Sequence, residues 1–175
     1  MQNIKAYIML VCASLFWAGN FMIGKYAFLE EIPPLSLVFY RWSLVWIILL
    51  PFTYKEIIKY KDTILNNFPL LFLLGLTSVG LFNSFTYLSL LHTQVINSTL
   101  FNAAIPAVII LLCFLFKIEK TNKFQILGLI ISVGGILAIV TRLKLDILLS
   151  FNFNKGDLIM IGGVITWGVY STLLK

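Results

Sequence analysis

This sequence predicts an all-helical integral membrane protein with about six transmembrane helices. Five form a first repeat, and the sixth opens a second, inverted repeat. Three observations carry that prediction: composition, the spacing of apolar runs, and an internal echo. Of the 175 residues, 60% are hydrophobic and only 11% are charged, with a mean hydropathy of +0.98. Soluble domains carry about 25% charged residues, so lipid must solvate much of this chain. The net charge of +6 is spread thinly between apolar runs, with no basic stripe and no interleaved aromatics. Nucleic acid is therefore not an expected partner; the lipid bilayer is.

A spanning helix needs about 20 mostly apolar residues. Six segments approach that length: 6–28, 35–53, 68–91, 95–116, 124–141 and 157–174. Lys5 precedes the first, but that run is too long for a signal peptide and lacks a small-residue cleavage site. Two charges and two prolines, Glu30-Glu31-Ile32-Pro33-Pro34, stop it. Lys55 to Asn67 is charged and amphipathic, as expected of a stretch lying at the interface. His92-Thr93 makes a tight turn, Lys117 to Lys123 a short charged one, and Arg142 and Lys144 close the fifth span. Cys12 and Cys113 fall inside apolar spans, where they read as small hydrophobes rather than a disulfide or metal pair.

The echo lies between Ser14–Lys25 (SLFWAGNFMIGK) and Val164–Lys175 (VITWGVYSTLLK). At an offset of 150 residues, Trp17 falls on Trp167 and Lys25 on Lys175. Such internal similarity marks secondary transporters built from repeats. The expected units are a five-helix repeat over 1–141, an outer loop over 142–155, and the first helix of a truncated second repeat over 156–175. An N-terminus in the cytoplasm puts eight Lys or Arg residues inside and four outside, as the positive-inside rule favours. A five-helix unit then makes the second repeat enter the membrane in the opposite sense, with any substrate site near the midplane.

Polar side chains are costly in lipid, so each one inside a span calls for an explanation. Trp17 and Asn20 share one face of the first helix, either as a cavity wall or as a packed aromatic beside an interhelical amide bond. Arg41 sits six residues into the second span, about 9 Å deep at 1.5 Å per residue. It either snorkels or pairs structurally, or it anchors an anionic substrate group or an outer gate. Asn83, Thr86 and Tyr87 share a face of the third span, and Ser98 and Asn102 lie one turn apart in the fourth. Pro106 follows and should bend that helix. A cavity wall and ordinary helix packing both fit these faces. Gly128, Ser132 and Gly135 form a small-residue seam expected to pack closely.

The absences are also informative. All seven acidic residues fall in loops or at helix ends, so no carboxylate-based proton relay is encoded. His92 is a turn residue first and a coupling group second. There is no nucleotide-binding loop, no HExxH and no nucleophile–base pairing. Neither an enzyme nor a cofactor or metal is expected.

The order of these motifs resembles the EamA-type permeases of the drug/metabolite transporter superfamily. The resemblance rests on Trp17 to Phe21 (WAGNF), Arg41 after Pro33-Pro34, Pro106, Lys117-Ile118-Glu119-Lys120, the GLIISVGG run, and Lys155-Gly156-Asp157-Leu158 followed by Trp167. It implies a ten-helix carrier of small organic solutes, working by alternating access between two inverted five-helix repeats in a bacterial inner membrane. The chain departs from that pattern by ending after its sixth helix, so the expected form is truncated or split. The alternative is a non-transporting fragment that needs a second-half partner or dimerises. The expected cavity residues are Trp17, Asn20, Arg41, Asn83, Tyr87, Asn102, Pro106 and Trp167.

Overall fold

The long apolar runs form helices because backbone N–H and C=O groups in lipid find partners only within a helix. The structure, a computed structural model, describes residues 2–119, 122–140 and 154–175. Its elements are α1 (Gln2–Leu29), α2 (Pro34–Lys59), α3 (Lys61–Asn66), α4 (Phe68–Gly75), a π-helical segment (Leu76–Phe82), α5 (Asn83–Leu90), α6 (Val95–Asn102), α7 (Ile105–Leu115), α8 (Lys123–Val140) and α9 (Lys155–Leu173). Among the described residues there is no strand, and five helical stretches are long and apolar enough to cross a membrane. The expected span at 124–141 corresponds to α8, whose apolar part, Lys123–Ala138, is shorter. Most of the expected outer loop, 142–153, lies outside the described residues.

The helix ends have local causes. After α1, Glu31 adopts a left-handed φ of 59°, so Ile32 N–H reaches Ala27 O at 2.9 Å and Glu31 N–H reaches Phe28 O at 3.0 Å. Lys117, with φ 55°, closes α7 in the same way through Ile118 N–H to Cys113 O at 2.9 Å. Glycine usually takes this position. At the other end, Pro33 and Pro34 start α2, where a missing N–H costs nothing.

Three features depart from expectation. First, α2 runs through Pro51 to Lys59, so the charged stretch begins as a continuation of the second helix. Second, the fourth span, Val95–Leu115, keeps right-handed backbone throughout, but its ladder is interrupted. It breaks at Ala103–Ala104, and Pro106 lies in the first turn of α7 rather than inside a helix. Pro106 has no N–H for the carbonyl of Asn102, which removes one bond that would have carried the helix across.

Third, the glycines of the small-residue seam on α8 meet no neighbour among the described residues. A Cβ built at Gly128, Gly134 or Gly135 meets nothing within 4 Å. The close packing occurs on α9 instead. There a Cβ at Gly156 would lie 2.6 Å from Ser89 O, and one at Gly168 would lie 2.7 Å from a Val108 methyl. Helical spacing shows which residues share a face but not which face meets a partner. Gly135→Ala should therefore raise stability by about 0.5–1 kcal/mol, through loss of backbone freedom in the unfolded chain. Unfolding of the purified protein in a denaturing detergent series measures this, and a loss above about 1 kcal/mol contradicts it.

The glycine contacts make α9 the hub. It lies against α5, the π-helical segment, α6 and α7. Its spanning window is 39% buried, against 6% for α1 and α2. Phe21, Phe82, Leu90, Met160 and Val164 form the centre of the core. Apart from Phe21, Val38 and their neighbours in the core, most large apolar side chains of α1 and α2 face outward, as lipid-facing helices require.

Candidate functional site

Beside this core, α1, α2, the π-helical segment, α5 and α9 border an open-sided cavity of about 450 Å³. From α1 come Phe16, Trp17 and Asn20, and from α2 Arg41 and Trp42. Ser78, Val79, Phe82 and Asn83 come from the π-helical segment and the start of α5, and Trp167 and Tyr170 from α9. Five of the eight expected residues therefore line one cavity, and a sixth, Tyr87, bonds to two of them. The Arg41 Nη1 group donates to both Asn20 Oδ1 and Tyr87 Oη. Tyr87 Oη in turn donates to Asn20 Oδ1 at 2.6 Å. Tyr87 is only 2% exposed, so this triad ties α1, α2 and α5 together at depth.

Aromatic edges complete the walls. Trp17 and Trp167, the two residues matched by the sequence echo, meet edge-to-face with centroids 5.6 Å apart. Phe82 and Tyr170 sit against Trp167 at 4.6 Å and 5.1 Å. The Arg41 guanidinium lies 5.3 Å from the Trp42 ring centroid and 5.9 Å from that of Tyr87, within cation–π range.

Asn83 lines the cavity with its amide nitrogen already committed. Nδ2 donates to Ser78 O and Val79 O, each at 3.1 Å. These carbonyls belong to the π-helical segment, where the ordinary ladder is shifted by one residue. Asn83 thus repairs the backbone, which the helical spacing of Asn83, Thr86 and Tyr87 did not disclose.

Asn102 and Pro106 lie apart from the main cavity. Asn102 borders a second, smaller one of about 250 Å³ with Ser14, Trp17, Ala18, Phe21 and Thr99. Its buried Oδ1 has no hydrogen-bond donor among the described residues. Pro106 is exposed and lines neither cavity.

The sequence reading missed Phe16, Trp42, Phe82 and Tyr170. Each had a signal: the first three adjoin Trp17, Arg41 and Asn83, and Tyr170 follows Trp167 by one turn on the same face. It also missed a polar cluster where α9 begins. Thr93 Oγ1 donates to Asp157 Oδ1 at 2.9 Å and accepts from Asn154 Nδ2 at 3.0 Å and Asn97 Nδ2 at 3.2 Å. Asn154 and Asp157 form a reciprocal capping box. Lys25 Nζ donates to Leu90 O at 2.7 Å and to Thr93 O at 3.3 Å. At the opposite end Lys175 pairs with Glu119 at 2.6 Å, and that hydrogen bond raises the Lys175 pKa above its ordinary 10.5. Among the described residues, no three or more His, Cys, Asp or Glu side chains gather as a metal site.

Apolar spanning helices around a lined, open-sided cavity define a polytopic helical membrane protein. The chain belongs to the EamA-like transporter family, which matches residues 4–141. It is 28% identical over 176 residues to the uncharacterized transporter YyaM of Bacillus subtilis (strain 168), covering 99% of this chain and 56% of that one. An uncharacterized transporter of Archaeoglobus fulgidus is 31% identical over 173 residues, covering 98% of this chain and 58% of its own length. A WAT1-related protein of Arabidopsis thaliana, At2g39510, is 28% identical over 143 residues, covering 77% of this chain and 38% of its own length. The chain thus spans little more than half the length of the microbial relatives it matches. No solved structure matches it significantly.

Proposed function

We propose that this chain carries one wall of a carrier for small organic solutes that works by alternating access. The observation that carries the reading is the convergence of Trp17, Asn20, Arg41 and Trp167, from three separate helices, on one cavity within the spanning region. Pockets that hold small ligands have this character: mostly apolar walls, a volume of about 300–1,000 Å³, and a few placed polar groups. The inverted-repeat organisation follows from the same reading. α9 would be the first helix of a second unit, docked through its glycines onto the first. A cytoplasmic N-terminus in a bacterial inner membrane accords with the distribution of Lys and Arg.

Uptake and efflux of a radiolabelled panel of small organic acids, amines and neutral solutes test the proposal. Trp17→Ala should lower transport at least tenfold at unchanged protein abundance. Trp17 is 43% exposed, so its removal opens the cavity wall more than it disturbs the core. Equal loss of transport and abundance would assign Trp17 to packing. The second reading, a membrane fragment that needs a second-half partner or dimerises, is favoured by the coverage of its relatives, 56% and 58%. It is chosen over the first if transport appears only when the remaining length of those relatives is co-expressed.

A further inference from the structure

We propose that the main cavity takes a small monoanion, a solute with one carboxylate-like group and a flat apolar body, anchored by Arg41. This rests on the carrier reading above and names the substrate class of the same site.

The argument begins with charge. Arg41 is held by Asn20 and Tyr87, both neutral, so the triad orients the guanidinium without compensating it. The ion pairs among the described residues are Lys59–Glu56 and Lys175–Glu119, and neither involves Arg41. The buried carboxylate Asp157 is committed to Thr93 Oγ1 and to the backbone N–H of Asn154. Arg41 is half-buried, so water offsets only part of the cost of a cation there that meets no opposite charge. Contacts with the Trp42 and Tyr87 rings offset only part of that, about 0.5–2 kcal/mol each. Snorkelling does not resolve it, because the bonds to Asn20 and Tyr87 tether the group to α1 and α5.

Geometry narrows the class. Asn20 Oδ1 already accepts from two donors. Nη1 is the guanidinium nitrogen engaged among the described residues, which leaves the Nε and Nη2 edge. That edge matches a carboxylate with two parallel hydrogen bonds. Among the described residues, Arg41 is the only cation lining the cavity. A dianion such as a phosphate monoester would bring one uncompensated charge, and an amine would meet a like charge. The remaining walls at Trp17, Phe82, Trp167 and Tyr170 present ring surfaces suited to a flat apolar body.

The test uses three probes of one shape: 4-phenylbenzoate, its neutral amide, and 4-phenylbenzylamine. Binding to the purified full chain in micelles is measured by equilibrium dialysis against empty micelles. The acid should bind at least tenfold more tightly than the amide, and the amine more weakly still. Arg41→Lys should keep the order acid, amide, amine with weaker acid binding, whereas Arg41→Gln should abolish the preference. Thermal unfolding of both variants confirms that they are folded, and the wild-type order decides the matter if Arg41→Gln is not. Equal binding of the three probes, preference for the amine, or binding of none overturns the proposal. A panel transported without charge preference would overturn this inference and leave the carrier reading standing. Selective acid binding with no transport would do the reverse.

Discussion

Gly156→Ala should destabilise the protein by about 1–3 kcal/mol, the range for overpacking a well-filled site. A Cβ there would sit 2.6 Å from Ser89 O, 2.8 Å from Thr93 N and 2.8 Å from Thr93 Cβ. Two of these are backbone atoms of the α5–α6 turn, so no side-chain rotation relieves the clash. Either α9 withdraws or the turn deforms, and the turn is held by His92 N–H and Thr93 N–H bonding to Ser89 O at 2.9 Å and 3.0 Å. The comparison is Gly135→Ala, the same change at a position whose Cβ meets nothing within 4 Å among the described residues. Expected shifts of opposite sign separate a packing clash from a general effect of adding a methyl group. Detergent-induced unfolding followed by tryptophan fluorescence reads both. A cost below about 0.5 kcal/mol for Gly156→Ala would mean that α9 does not dock as described.

The same glycines show how much the sequence discloses. That the chain is helical and membrane-embedded follows from apolar length and scarcity of charge, which depend on local composition alone. The overlay of Trp17 on Trp167 marked both as related positions because the two helices repeat a motif, but it did not disclose that their rings meet. Extending the overlay by one turn sets Asn20 against Tyr170, and both line the cavity.

What remained hidden depends on tertiary neighbours. Pro106 announced a bend in the fourth span, but Ala103 and Ala104 are good helix formers, so propensity hid that the ladder is interrupted there. The π-helical segment is likewise invisible, since its shifted ladder is completed by Asn83 from the next turn. Gly128 and Gly135 show the converse: a seam fit for close packing that meets no partner among the described residues.

Asp157→Ala should cost about 2–4 kcal/mol, because it removes two kinds of support at once. As the third residue of α9, Asp157 completes the capping box with Asn154, worth about 1 kcal/mol. It is also the acceptor for the Thr93 hydroxyl, whose other partners, Asn97 Nδ2 and Asn154 Nδ2, are both donors. Without the carboxylate, the Thr93 proton has no acceptor in a site where Thr93 is 6% and Asp157 4% exposed. An orphaned buried donor costs about 1–3 kcal/mol. Asp157→Asn keeps one oxygen for Thr93 but turns an amide towards the Asn154 N–H, so it should fall midway. Pairing Asp157→Ala with Thr93→Val isolates the hydroxyl, and the double mutant should recover about 1 kcal/mol relative to the sum of the singles. Strict additivity would show that Asp157 acts on α9 through the cap alone. Coupling of the expected size would make Thr93 the fixture that ties the start of α9 to the α5–α6 turn and thereby sets Trp167 and Tyr170 in the cavity wall.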